Sequence, residues 1–345
     1  AEGGRMTSIK NLQDIARKAG VSTATVSRVI NSPDKVSEKT RRKVEQIIRE
    51  HGYIPNEFAR SLRSNRKNMV AIVNPVPQES FLSFPYFSLF LRSVTQWFSR
   101  VGVYTLVVLE DPNQSPYTTY RKMMEQNVVD GFIVMGLKRD DPRIELLNSL
   151  KARFVAIGHT GEEGPYVYVD SDNVQGGYLA TRHLLELGRK RILMVNGFEN
   201  DCSSMFRLSG YQKALEQEGV RFDPQLVINC DLEEETVFEM FSNEDFSLEA
   251  DAVFATSDVA AIGVIKALKR RHHSLPVVGF DDIPMASSFE PGVTTIRQPI
   301  EQIGRKAAEK IFALVEGKAA QSEMVQVELV ARDSTLRCQI QSDQE

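Results

Sequence analysis

In the stretch GVSTATVSRVIN (residues 20–31), Thr23, Ala24 and Arg28 share one side of a helix-length segment. The other side carries Val26, Val29 and Ile30 at the i, i+3, i+4 spacing of an apolar helical face. A small, hydroxylated surface with a single arginine is poor core material, but it suits the edges of base pairs. Threonine can meet a base edge or a thymine methyl, alanine a thymine methyl, and arginine the O6/N7 pair of a guanine. A bulkier surface would hold the helix away from those edges. Ser22, Thr25, Ser27, Asn31, Ser37 and Thr40 lie close by, with hydroxyls and an amide suited to phosphate oxygens. Such contacts position a protein on DNA without reading sequence.

Helices must hold this face. Leu12, Ile15, Ala16 and Ala19 predict a first helix, and Gly20 is placed to end it. Ser22 can cap the second. Val44, Ile47 and Ile48 line a third, with Ser37 as a candidate cap and Gly52 as a candidate stop. Helix, tight turn, helix and a closing third helix form the helix-turn-helix arrangement. The charge agrees with it: residues 1–67 hold 15 Lys+Arg against 7 Asp+Glu, whereas the other 278 hold 27 against 39. A small basic module on a larger acidic body implies an anionic polymer partner for the module alone.

The body reads differently. MVAIVNP, VYTLVVLE, DGFIVMG, RFVAIGH, RILMVNG, QLVINC, ADAVFAT and LPVVGFDD are short apolar runs separated by helix-length segments. That alternation predicts parallel sheets covered on both faces, and its length calls for two α/β lobes. Three cysteines, Cys202, Cys230 and Cys338, with no C-x-x-C spacing, argue against a disulfide framework and a zinc site. No Gly-rich phosphate loop or nucleophile elbow is present, so an enzyme is not expected, nor any cofactor or metal. No apolar run reaches 18 residues, and AEGGRM lacks the layout of a signal peptide. Met6 is read as the native start, and the expected location is the cytoplasm, at the bacterial nucleoid.

IKNLQDIARKAGVSTATVSRVIN (9–31) and GYIPNEFARSLRS (52–64) resemble the headpiece of the LacI/GalR family of bacterial transcription regulators. VDSDNVQGGYLATRHLLELGRKRI (169–192), RLSGYQKAL (207–215), ATSDVAAIGVIKAL (255–268) and VVGFDDIPMASSFEPGVTTIRQP (277–299) extend the resemblance over the body. The implied fold is an all-α helix-turn-helix headpiece (6–54), a hinge helix or linker (55–68), and a two-lobed, periplasmic-binding-protein-like α/β effector domain with parallel sheets (69–345). Lobe 1 is expected at about 69–163 and 294–322, and lobe 2 at about 164–293 and 323–341. Crossovers are expected near 161–166, 290–297 and 319–326, with a helix at Ile300–Val315 and a strand at Met324–Val330.

For function, the resemblance implies a homodimeric regulator, in all expectation a repressor, on a pseudo-palindromic operator. In the family the segment matching Pro55–Ser64 forms a hinge helix on DNA, and Leu62 and Ala59 become minor-groove contacts. Apolar wedging of this kind offsets unstacking with contacts to bent DNA. Tyr53 and Asn56 join the phosphate contacts. Effector binding is expected between the lobes, outside the carboxyl ends of the strands. The candidate contacts are Tyr86, Phe87, Ser203, Arg207, Leu232, Ser257, Asp281 and Gln298, with Asp258 and Asp282 read as helix caps. A carboxylate, a guanidinium and an aromatic face suit a neutral polyol such as a sugar. Three departures bear on the ligand: Ser257 stands where many relatives have Asn, Leu232 where some have an aromatic, and the first strand has the unusual form AIVNPVP followed by QESFLSF before Pro85. Control by a phosphorylated carrier protein, as in the catabolite-control branch, is the alternative signal. A solute-binding protein is a remote second class, since it would need an export signal and no basic module.

Overall fold

Parity along the strands and periodicity along the helices decide which side chains this chain buries. The computed structural model describes residues 11–51, 66–74, 85–109, 115–161, 164–246 and 249–336. The chain divides into two units, Ala1–Lys67 and Asn68–Glu345. Gly52, Tyr53, Asn56, Ala59 and Leu62 lie outside the described residues.

The first unit contains α1 (Leu12–Ala19), α2 (Thr23–Asn31) and α3 (Glu38–Glu50). Asn11 caps α1 by accepting from the Asp14 amide at 3.0 Å, and Gly20 ends it at φ 66°, a left-handed conformation that favours glycine. Ser22 and Ser37 cap α2 and α3 through the amides of Thr25 and Thr40. Ile15, Ala16, Ala19, Val26, Val29, Val44 and Ile47 form the small common core. So few buried side chains leave the unit sensitive to any one of them.

The second unit has two six-stranded sheets among the described residues. The first is built from β1 (Met69–Asn74), β2 (Tyr104–Leu109), β3 (Gly131–Val134), β4 (Phe154–Ile157), β5 (Val167–Ser171) and β11 (Glu323–Val325). The second is built from β6 (Ile192–Asn196), β7 (Val227–Asn229), β8 (Ala252–Ala255), β9 (Val277–Asp281), β10 (Thr294–Arg297) and β12 (Glu328–Val330). Pairing is parallel except for the antiparallel contact of β10 with β12.

Alternation sorts each sheet into two buried faces. Val70, Ile72, Ile133 and Val155 pack under α4 (Pro85–Val101) and α12 (Ile300–Val315), while Ala71, Val73, Phe132 and Val134 pack under α5 (Pro116–Glu125) and α6 (Pro142–Ser149). In the second lobe, Met194, Phe254 and Phe280 face α7 (Asn173–Glu186) and α8 (Cys202–Gln217). Leu193, Val195 and Val253 face α9 (Glu234–Ser242) and α10 (Asp258–Arg270), with the short α11 (Pro284–Ser288) beside them. Each fully buried aliphatic side chain contributes about 1.5–3 kcal/mol.

The lobe boundaries differ from those expected. Val167–Ser171 pairs with β4, so it belongs to the first lobe, and the first crossover is at Ser171–Asn173. Thr294–Arg297 pairs with β9, which keeps it in the second lobe and moves the second crossover to 298–299. The expected strand Met324–Val330 is two strands, β11 on β5 and β12 on β10, with the third crossover between them. Apolar alternation marks these segments as strands but does not say which sheet they join. The helix Ile300–Val315 lies as expected, packed on the first sheet.

Helix α7 crosses α8 at glycines. A methyl at Gly177 would run into the Arg207 carbonyl, and one at Gly210 into the Val174 carbonyl. Gly177→Ala is therefore expected to destabilise the second lobe by about 1–3 kcal/mol, since overpacking forces backbone shifts. Ile15→Ala should cost about 2–5 kcal/mol in the first unit. Calorimetry of the whole chain checks both: Ile15→Ala should remove the small unit's transition while leaving the large one, and Gly177→Ala should lower the large one only.

Candidate functional site

On α2, the partition between faces is as the residue types predict. Val26 and Val29 are buried, while Thr23, Ala24 and Arg28 are exposed along the first two turns. Ser22 Oγ caps the helix and hydrogen-bonds Thr25 Oγ1 at 2.9 Å; Ser37 Oγ makes the same pair with Thr40 Oγ1. Each cap takes up one N-terminal amide, and the positive end of the helix dipole beside these exposed serines favours an anion. Ser22 and Ser37 are exposed, Thr25, Ser27 and Thr40 half-buried, and Asn31 is the last residue of α2.

The second site lies where the two lobes meet. Arg207, one turn after Ser203 on α8, is held on three sides. Its Nε donates to Asn173 Oδ1 at 2.9 Å and its Nη1 to the Thr256 carbonyl at 2.6 Å. The guanidinium lies 3.8 Å from the centroid of the Phe280 ring, a cation–π contact. Burial lowers its pKa, and the carboxylates of Asp281, Asp170 and Asp258 oppose that shift. Nη2 donates to no group among the described residues.

Asp281 ends β9 with φ 114°, and Asp282 follows at φ 58°. Two successive non-glycine residues in this region store strain of about 1–3 kcal/mol each, which marks functional sites more often than others. Asp281 Oδ1 accepts from Gln298 Nε2 at 2.5 Å, while Oδ2 accepts nothing among the described residues. Burial pushes Asp281 up to about 6, against the pull of Arg207 and the Gln298 hydrogen bond. Asp258, fully buried, is pushed up in the same sense by burial and then by the charge of Asp281.

From the first lobe, Tyr86 stands at the start of α4, half-buried. Burial first, then Asp281 and Asp170, raises its phenol beyond the ordinary range, so it stays protonated. Asp170 accepts from the Ser171 amide (2.7 Å) and from Asn173 Nδ2 (3.0 Å), and pairs with His159 Nδ1 (2.8 Å). The His159 ring stacks on Phe206 of the second lobe at 4.5 Å and on Tyr168 at 5.0 Å. Backbone bonds from Arg139 to Asn200 and from Cys202 to Leu137 also join the lobes.

Tyr86, Arg207, Asp281 and Gln298 are thus brought together. Ser203 is exposed on the Arg207 side of α8. Phe87 lies instead in the first-lobe core, because one residue further along α4 turns the side chain inward. Leu232, at φ 61°, packs partly against the second-lobe core. Ser257 is buried and caps α10 through the Ala260 amide at 3.1 Å, the role expected of Asp258. Asp258 bonds the Ile283 amide (2.8 Å) and Thr295 Oγ1 (2.5 Å). Asp282 also caps nothing: it pairs with Arg297 and Arg332, both at 2.6 Å. Residue types alone did not single out Asp170, Ser171, Asn173, His159 or Phe206. The first three lie in the stretch 169–192 that resembles the family's, and that resemblance gave them no role.

A family profile described as "Bacterial regulatory proteins, lacI family" matches residues 11–56, and one described as "Periplasmic binding protein-like domain" matches residues 181–335. The HTH-type transcriptional regulator CelR of Thermobifida fusca is 32% identical over 332 residues, covering 94% of this chain and 97% of its own. A solved structure of a transcriptional regulator CelR–cellobiose complex aligns with a TM-score of 0.72 at 29% identity, over 94% of this chain and 100% of that one. The Lac repressor dimer bound to operator and the anti-inducer ONPF aligns at 0.82 and 25% identity, over 95% and 99%.

The raised carboxyl has a consequence for stability. A carboxyl whose folded pKa of about 6 lies above its ordinary value stabilises the fold below about pH 4, and that stability is lost as pH rises through 6. Asp281→Asn, neutral at every pH, should melt close to the parent near pH 3 and progressively above it from pH 4 towards pH 7. Melting curves across this range check it; a difference that does not change with pH would contradict the shift.

Proposed function

The chain belongs to the LacI family of bacterial regulatory proteins, and from that premise we propose a repressor whose affinity for operator DNA is set by a neutral saccharide held between its lobes. DNA binding and transcription regulation come with the family. Saccharide control, repression and dimerisation are the further steps of this reading.

One observation carries the saccharide. Arg207 Nη2 and Asp281 Oδ2 are a donor and an acceptor without partners among the described residues, held at the lobe junction by groups already engaged. A hydroxylated ring can accept from the first and donate to the second, with Tyr86 as an aromatic neighbour. Charge favours a neutral ligand over a phosphate: Asp170, and Asp281 above its raised pKa of about 6, lie near a single guanidinium. The CelR structure that aligns with this chain holds cellobiose, which agrees in class.

On the DNA side, Thr23, Ala24 and Arg28 read bases from the major groove, with Ser22, Thr25, Ser27, Asn31, Ser37, Thr40, Tyr53 and Asn56 on phosphates. Leu62 and Ala59 enter the minor groove at the centre of the site. A two-fold dimer then requires half-sites about one helical turn apart. Occupancy of the cleft acts on DNA only through its differential affinity for two lobe arrangements.

Selection from a random duplex pool should return a pseudo-palindrome, and Arg28→Ala should lose about 1–3 kcal/mol of discrimination at one base pair per half-site. Leu62→Ala should lose specific binding while keeping ligand binding. In a thermal-shift screen, neutral mono- and disaccharides should raise the melting temperature and their phosphates should not. Arg207→Ala should weaken the best saccharide by about 1.5–3 kcal/mol. A shift produced only by phosphorylated compounds or a phosphorylated protein would overturn the saccharide reading.

A further inference from the structure

The chain's passages between the lobes are tied to one another, and two of them end on the cleft's charges. The first, Ser171–Asn173, leaves β5 and enters α7; the second, 298–299, leaves β10 and enters α12. Ser171 Oγ donates to Gln298 Oε1 at 2.5 Å, a bond between the two passages made by side chains that are both buried. Gln298 then donates through Nε2 to Asp281 Oδ1 at 2.5 Å. The Asp172 amide donates to the Val325 carbonyl at 3.0 Å, which brings in the third passage.

Asn173 does the same for the positive charge. Its Nδ2 donates to Asp170 Oδ1 (3.0 Å) and to the Ser171 carbonyl (3.1 Å), so its Oδ1 is the end that accepts from Arg207 Nε. Both carboxamides, Asn173 and Gln298, are engaged at both ends. Neither can turn without leaving a buried polar group unpaired, which costs more than the bond itself contributes.

We propose that Ser171 and Asn173 are positioning residues that couple the cleft's charges to the arrangement of the lobes: Asn173 aims Arg207 directly, and Ser171 aims Asp281 through Gln298. Any change of angle between the lobes is taken up by backbone torsions in these passages, since they are the covalent links. Rotating them separates Ser171 from Gln298, and Asp170 of the first lobe from Asn173, whose carboxamide then loses a bond that holds its Oδ1 towards Arg207. Aligned charges and the present lobe arrangement are therefore one state, and a molecule that uses both charges favours that state. The inference rests on the reading of the cleft as an effector site only in naming what uses the charges.

The test needs no saccharide. Nitroxide labels at Gln126→Cys on the first lobe and Glu218→Cys on the second, both exposed positions, report the interlobe distance by pulsed electron resonance in the full chain. Cys202 and Cys230 are buried, and Cys338→Ser removes the remaining thiol. Ser171→Ala and Asn173→Ala should shift the ratio of the two distance populations roughly fivefold, the factor one net hydrogen bond carries. Gln298→Met, close in volume, breaks the Ser171 tie from its other end and should give the same shift. Ser209→Ala, on the exposed side of α8, should superimpose on the parent. Measurements below each variant's melting temperature separate aim from simple loss of stability. Distributions for folded Ser171→Ala, Asn173→Ala and Gln298→Met that superimpose on the parent would overturn the proposal. Absence of saccharide binding would overturn the effector reading and leave this result standing.

Discussion

A part-buried guanidinium at the lobe junction, with carboxylates around it and a ring beneath it, is the constraint that the second unit is arranged to meet. Arg207 cannot be left without partners there, because an unpaired buried charge is among the costliest features a fold can carry. Its bonds to Asn173 and the Thr256 carbonyl, and its place over Phe280, answer that requirement from three different elements. The glycine crossing of α7 and α8 follows from it, since the backbones must approach closely for Asn173 to reach the arginine. So does the strained turn at Asp281 and Asp282, which brings one carboxylate to the cleft and sends the next to Arg297 and Arg332.

The two units divide the work by chemistry. The small unit has barely enough apolar area to fold, and its second helix keeps an outer face of small polar groups that only a partner would occupy. The large unit has full cores on both faces of both sheets, and Asp170, Ser171, Asn173, Asp258 and Gln298 are buried polar groups near its lobe junction. Each unit is thus specific where it is polar and stable where it is apolar.

Much of this was legible in the residues. The spacing of Val26 and Val29 against Thr23, Ala24 and Arg28 showed which face of α2 is buried, because helical periodicity allows little else. The apolar runs located most strands. They did not say which sheet β5, β10, β11 or β12 joins, since a short run looks the same in either lobe and only pairing decides. Within the site, Arg207, Asp281 and Gln298 stood out as charged or amide groups in stretches resembling the family's. Phe87 did not belong with them, and the difference from Tyr86 is one step of helical rotation. Asn173 and Ser171 were hidden for another reason: their roles come from meeting Arg207 and Gln298, which lie 34 and 127 residues away. No local pattern encodes such a meeting.

Under the proposed function, cleft occupancy and operator affinity are two readings of one equilibrium. Fluorescence anisotropy of the selected operator duplex, titrated with the full chain at zero and at saturating saccharide, tests this most directly. The predicted result is a change in operator Kd in the range of about 5–150-fold, matched by an equal change in saccharide affinity when operator is present. Superimposable titration curves, with the saccharide shown by calorimetry to be bound, would contradict it.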